Sequence, residues 1–371
     1  MSSLRVQQLQ HPSASTPALA LANDGTAAAQ LSAINGGPLA GFRNAIINGN
    51  FDIWQRGTSF SASVYAADRW RNEYLGSSAA MSRQPFPLGQ GNVPGEPPFF
   101  SRTVVTSVAG ASNYSILLQR IEGVRTFAGQ TVTISFWAKA DASRPIAVEL
   151  LQWFGTGGSP SFMVSGIGAT KVAIGTTWQQ ISLPVTVPSI SGKTLGTAGD
   201  DYLALYIWFD GGSSHNARNA TLGQQSGTFD IARVQVEPGG FRTPFELRPL
   251  ATELALCQRY YEKSYDLDTI PGTATDTGLV GGQCIYYLST TAYAPPAPAV
   301  AYRVTKRGTP QLTFWNRSGT ANQYSQYYNG VWANQATVPV VLSNSTNGLL
   351  VYPNAYVASM LFHFAADAEL V

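Results

Sequence analysis

Rings that stack on sugar faces and amides that bond sugar hydroxyls occur together in two places in this sequence. Late in the chain, Trp315, Asn316, Arg317 and Ser318 precede the stretch YSQYYNGVW, in which Tyr324, Tyr327, Tyr328 and Trp332 are interleaved with Ser, Gln and Asn. An aromatic face beside Asn, Gln or Arg supplies both kinds of contact that a carbohydrate needs. These residues read as loops, where rings have no core to fill. Trp315, Asn316, Arg317, Tyr324, Tyr327, Tyr328 and Trp332 are therefore the candidate glycan-binding set, with local packing as the equal alternative. The second place is Tyr206 and Trp208, on one face of a strand, with Trp153 in VELLQWF; there core packing is the better reading.

Catalytic patterns are missing by comparison. His11, His215 and His363 fall in three regions, none beside a Cys, Ser or carboxylate motif that would make it a base. Glycoside hydrolysis needs two carboxylates roughly 5 to 9.5 Å apart. Acidic residues are scattered here, and the adjacent pair Asp200-Asp201 reads as a turn. Gly166 to Lys171 imitates a phosphate loop without its spacing or a following helix. The expectation is a protein that is not an enzyme.

Composition narrows the class. Charged residues make up 12% of the 371 residues and the formal net charge is +2. That charge content is about half the usual share, and with abundant Gly, Ser, Thr, Asn and Gln it describes a rigid, extracellular-type β protein. No basic stripe marks a nucleic-acid partner, and no apolar run reaches the roughly 18 residues that suggest membrane insertion. The N-terminus lacks the basic and apolar blocks of an ordinary secretory signal. Cys257 and Cys284 do not make a disulfide framework; free thiols are the better reading, and their pairing stays open.

The elements that must position these residues are mostly strands. Residues 42–247 contain many short alternating segments, such as Thr131 to Ala140 and Gln179 to Val187, separated by Gly, Pro and Asn turns. Tyr202 to Asp210 is apolar on both faces, which predicts a strand covered twice or one exposing an aromatic platform. Phe229 to Val236 alternates with period two and closes this region. Pro238-Gly239-Gly240 then breaks the chain free, and Leu247, Leu250, Leu254, Cys257 and Tyr261 recur at helical spacing. Residues 248–264 are thus the one convincing helix, its seam packed either on its own chain or on other copies. Residues 265–371 form a third, strand-rich region, with Leu279 to Tyr293, Val300 to Val304, Gln311 to Trp315, Val338 to Leu342 and Tyr356 to Phe364 as strands. Residues 1–40 carry too few large apolar side chains for a core and read as an extended arm. The fold class is mainly β: a jelly-roll sandwich and a C-terminal β-rich tip, joined by one helix, with an N-terminal arm.

Several islands carry a resemblance. NGNFDIWQRG, TISFWAKA, WQQISLPVTV and FDIARVQVEPG together resemble the carbohydrate-binding-module type of jelly roll found in phage tail fibres. LRVQQLQHPSASTPALALANDGTAAAQL resembles the N-termini of such fibres, and ELALCQRYYEKS and FHFAADAEL are similar to their later segments. The resemblance implies a structural, non-enzymatic, virion-borne fibre. Residues 1–40 would attach it to phage tail or baseplate proteins, and its distal β domains would recognise a host surface polysaccharide. It also implies a homotrimer gathered at Leu247, Leu250, Leu254, Cys257 and Tyr261, and a structural calcium near Asn48, Asn50, Asp52 and Asp230, with no other cofactor. The rivals are a tailspike-type glycan depolymerase and a secreted carbohydrate-binding adhesin, the latter favoured by four glycosylation triplets such as Asn113-Tyr114-Ser115.

Overall fold

A computed structural model describes residues 41–283, 287–289, 292–293, 298–328, 330–353 and 359–370, with Gln8–Leu9, Ser13, Leu19–Leu21 and Ala27–Ala29 of the arm. Those arm strands, β1 (Gln8–Leu9), β2 (Leu19–Leu21) and β3 (Ala27–Ala29), form a small antiparallel sheet. The rest of residues 1–40 lies outside the described residues, as do Cys284 and His11.

Alternation of apolar and polar residues folds the next two hundred residues into a jelly-roll β-sandwich. Its strands are β4 (Ser59–Phe60), β5 (Val64–Tyr65), β6 (Arg71–Leu75), β7 (Ser78–Pro85), β8 (Phe99–Thr106), β9 (Tyr114–Glu122) and β10 (Thr131–Ala140). They continue with β11 (Arg144–Trp153), β12 (Val164–Ile174), β13 (Gln179–Thr186), β14 (Tyr202–Gly211) and β15 (Gly227–Pro238). One antiparallel sheet runs β13-β10-β15-β8-β7-β4 and the other β12-β11-β14-β9-β6-β5. Between them lie Val132, Ile134 and Phe136 of β10 and Leu203, Leu205, Ile207 and Phe209 of β14, all in one core cluster. Each such side chain, fully buried, stabilises the fold by about 1.5–3 kcal/mol. The Gly166 to Lys171 stretch is part of β12.

One strand departs from simple alternation. In β15, Trp137 faces Ala232 but Ser135 faces Gln235, and Arg233 between them has φ 51. This bulge reverses the facing, so Phe229, Ile231, Val234 and Val236 all enter the core, where strict period two would put Val234 and Val236 on the opposite side from Phe229. Gly49 passes directly over the bulge: a Cβ there would meet the Val234 carbonyl oxygen at 2.2 Å, while its own carbonyl accepts from the Val234 N–H.

The Pro-Gly break does not free the chain. The Thr243 N–H donates to Glu237 at 2.7 Å and the Glu246 N–H to Gln235 at 2.9 Å, folding the segment back along β15. Arg248 donates to the carbonyls of Asn44 and Ile46. These ties hold the backbone extended through Pro249 (ψ 139), so α1 spans Leu250–Gln258 and Leu247 precedes it. At its other end the helix gives way to β16 (Tyr261–Lys263), which corrects the longer helix predicted. Cys257 and Tyr261 are buried within this chain, whereas Leu247 and Leu250 are exposed.

Strand β16 belongs to the tip. It pairs with β26 (Ser359–Asp367), which also pairs with β17 (Val280–Gln283), β21 (Gln311–Trp315) and β22 (Tyr324–Tyr328), the last extended by β23 (Val331–Gln335). A short hairpin, β18 (Tyr287–Ser289) and β19 (Ala292–Tyr293), and a sheet of β20 (Ala299–Ala301), β25 (Gly348–Tyr352) and β24 (Val340–Asn344) complete it. Phe314, Tyr324, Phe362 and Phe364 from the first of these sheets meet Leu349 and Val351 from the last in a separate core.

Sandwich and tip are joined by buried polar contacts. Lys263 Nζ donates to the carbonyls of Gln55, Leu267 and Thr269, and Gln55 Nε2 donates to the Tyr261 carbonyl. Arg69 pairs with Glu369, both buried, and its guanidinium lies 3.4 Å from the Tyr260 ring centre. Arg120 and Tyr65 both donate to the Leu370 carbonyl. Among the described residues no helix is long and apolar enough to cross a membrane.

Candidate functional site

The open polar cleft of the tip is built on the β22–β23 hairpin. Ser325 is opposite Asn334 and Tyr327 opposite Trp332, so period-two alternation puts these four on one face. Tyr324 and Tyr328 belong to the other face, and Tyr324 is wholly buried in the tip core. The turn between β21 and β22 is shaped by Asn316, whose Oδ1 accepts from the Ser318 and Thr320 N–H groups and whose Nδ2 donates to Gln323. In that turn Gly319 (φ +80) touches the loop around Gly272, where a Cβ would meet the Gly272 carbonyl oxygen at 2.0 Å. This close approach brings Asp276 beside Arg317.

The resulting geometry is compact. Arg317 donates from Nε and Nη2 to the two carboxylate oxygens of Asp276 at 2.8 and 2.6 Å, and its guanidinium carbon stands 5.1 Å from the Trp332 ring centre. The Arg317 hydrogen bonds hold the Asp276 carboxyl below its ordinary value of 3.8. Tyr327 leans on Trp332 with ring centres 5.3 Å apart. Ser325 Oγ donates to Asn334 Oδ1, and Asn334 Nδ2 donates to Ser318 Oγ. The cleft so enclosed has a volume of about 330 Å³, within the range that holds a sugar or a short oligosaccharide.

Of the seven sequence-predicted residues, Arg317 and Trp332 line this cleft and Tyr327 buttresses it. Asn316 and Tyr324 are structural, Trp315 packs edge-on against Tyr265, and Tyr328 lies on the opposite face. The reading of YSQYYNGVW as a loop is corrected: Tyr324–Tyr328 pairs with Val331–Gln335 as two antiparallel strands. Asp276, Ser325 and Asn334 complete the site. Asp276 is 41 positions from Arg317 and carries no local motif, whereas the alternation in YSQYYNGVWANQ would have revealed the other two.

The Tyr206 and Trp208 rings are closed off, and Trp153 is half-buried and stacked on Tyr202. Tyr206 and Trp208 stack with centres 6.4 Å apart and are buried with Leu222 and Leu370. Trp208 Nε1 donates to Glu149, which also receives Arg218. Burial is the leading influence on Glu149 and raises its carboxyl above the usual value despite that arginine.

The four residues suggested for calcium are not brought together at one site. Asn48 bonds the backbone of Ile53 and Asp68 through both ends of its amide. Asp230 is taken by Arg102 at 2.7 and 2.8 Å, with Lys139 at 3.5 Å. Asn50 and Asp52 do come together, through Asn50 Nδ2, beside Glu253 of α1. Among the described residues no group of three or more His, Cys, Asp or Glu side chains could hold a metal.

His215, His363 and the Asp200-Asp201 pair have structural partners. His363 donates from Nε2 to the Thr275 carbonyl, accepts at Nδ1 from Ser264 Oγ (3.0 Å) and stacks on Tyr265 at 3.8 Å, wholly buried. His215 bonds the Ser112 carbonyl. Asp200 caps Thr156 and Asp201 accepts from the Val124 N–H.

No protein-family model and no curated protein matches this chain. Solved structures similar to it include a carbohydrate-binding module of family 4, at 19% identity over 52% of this chain and 97% of that one, TM-score 0.29. Another is a xylan-binding domain from Paenibacillus barcinonensis, at 16% identity over 48% and 98%, TM-score 0.29. A third is the enzymatically active domain of tailspike protein 4 of bacteriophage CBA120, at 16% identity over 53% of this chain and 21% of that one, TM-score 0.26. Likenesses this distant assign no activity, ligand or assembly to the chain.

Proposed function

We propose that this chain is a non-enzymatic phage tail-fibre subunit that recognises a host-surface glycan through the tip cleft. The observation that carries recognition is the convergence of Trp332, the Arg317–Asp276 pair and the hydroxyl and amide groups of Ser318 and Asn334 around one open volume. The sandwich serves as a rigid base, because its Tyr206 and Trp208 rings are sealed. Residues 1–40 dock on phage tail or baseplate proteins, a role supported by the resemblance of LRVQQLQHPSASTPALALANDGTAAAQL to fibre N-termini.

Three copies meet at the end of the sandwich where Leu247 and Leu250 remain 60% and 54% exposed, with Phe42 at 61% beneath Arg248. Joining three weak sites raises their combined avidity through effective concentration. The test is competition: purified full-length chain pre-bound to host cells blocks adsorption of the phage, and the Trp332→Ala chain does not. Equal blocking by both chains refutes the cleft, and a rise in polysaccharide reducing ends refutes the non-enzymatic role.

A further inference from the structure

We infer that Asp276 is the selectivity residue of the tip cleft, making it a site for neutral glycans and excluding anionic ones. The inference rests on the reading of this cleft as a glycan site. Its positive charge is already matched: Arg317 gives two parallel hydrogen bonds to Asp276, a geometry that fixes the guanidinium as well as neutralising it. The two partners differ in exposure. The Asp276 side chain is 64% exposed and that of Arg317 31%, so an incoming ligand meets the carboxylate first.

The remaining groups suit sugar hydroxyls, which both donate and accept. Each Asp276 oxygen keeps a lone pair after bonding Arg317, and Asn334 keeps a second amide hydrogen after bonding Ser318. The Ser318 hydroxyl, whose oxygen accepts from Asn334, has its own hydrogen to donate. A neutral hydroxyl pair satisfies such a mixed surface, whereas a uronate or sialate carboxylate faces Asp276 with like charge. The arrangement is a repulsive element set beside an attractive one, which is how a site separates ligands of similar shape.

The test uses the full-length chain on an array of neutral hexose oligosaccharides and of oligosaccharides bearing uronic or sialic acid, at low ionic strength. Wild type retains neutral members only. Asp276→Asn frees the Arg317 charge and raises binding of the acidic members by about two- to fivefold, the scale of one exposed charge pair. Asp276→Asn combined with Arg317→Gln loses that gain, which ties it to the guanidinium, and circular dichroism confirms that each variant is folded. Preferential binding of acidic glycans by wild type overturns the inference while leaving the cleft a glycan site. Neutral binding with no acidic gain in Asp276→Asn removes Asp276 as the selectivity residue. Retention of no glycan at all by wild type defeats the underlying reading and the inference with it.

Discussion

Trp208 of the sandwich and Trp332 of the tip have the same chemistry and opposite circumstances. Trp208 is 1% exposed, stacked on Tyr206, bonded to Glu149 and covered by the Arg218 guanidinium. Trp332 is 42% exposed and stands beside an arginine that is itself held in place. Trp208 therefore contributes to stability, and Trp332 is left open to solvent. Aromatic content alone does not mark a binding surface; the cover over each ring decides.

The contrast can be broken by substitution, beginning with the largest effects. Trp208→Ala should cost about 3–5 kcal/mol in urea unfolding, the usual loss for a large buried ring. Glu369→Ala should cost a similar ~3–5 kcal/mol, because it leaves the buried Arg69 charge without its partner. A clear fall in Tm with a single unfolding transition would show sandwich and tip failing together. If Glu369→Ala instead unfolded the tip first while the sandwich persisted, the two regions would be separate stability units. Fragments 42–247 and 248–371 should each fold poorly, since the contacts of Lys263, Arg69 and Arg120 cross that boundary.

Effects on assembly and binding should come with little loss of fold. Leu250→Asp, at a half-exposed helix position, should convert the proposed trimer to monomer by light scattering with Tm nearly unchanged; an unaltered mass would place any contact between copies elsewhere. Trp332→Ala should change stability by within about 1 kcal/mol while reducing cell binding about tenfold, the loss expected for a ligand-facing ring. The smallest effect is on pH dependence. Asp276 has a folded pKa below 3.8, so its pair with Arg317 is complete above that value and is lost only as pH falls through the depressed one. Binding should be level between about pH 7 and about pH 5, and a twofold drop within that window would contradict the ion-pair account.

Much of this molecule was legible from spacing. Thr131 to Ala140, Gln179 to Val187 and Gln311 to Trp315 alternate cleanly, because their side chains alternate between core and solvent or second-layer faces. The doubly apolar Tyr202 to Asp210 is covered on both sides, as one of its two readings required. The helix was overextended because side-chain spacing cannot reveal the Arg248 and Glu246 contacts that keep Leu247 out of it. The reversal of Val234 depended on a bulge at a non-glycine residue, which leaves no mark in the alternation. In the cleft, Arg317, Tyr327 and Trp332 were visible as rings and a cation in one neighbourhood. Asp276 was not, since a contact spanning 41 positions is made by the meeting of two loops at Gly272 and Gly319.

On the proposed function the tip cleft, and not the Tyr206–Trp208 face of the sandwich, receives the glycan. The most direct test is a crystal of the full-length chain soaked with an oligosaccharide from the host surface that competes for cell binding. Sugar density is expected against Trp332, with hydroxyls bonded to Asp276, Ser318 and Asn334. Density on the sandwich, with the cleft empty at a saturating concentration, would contradict it.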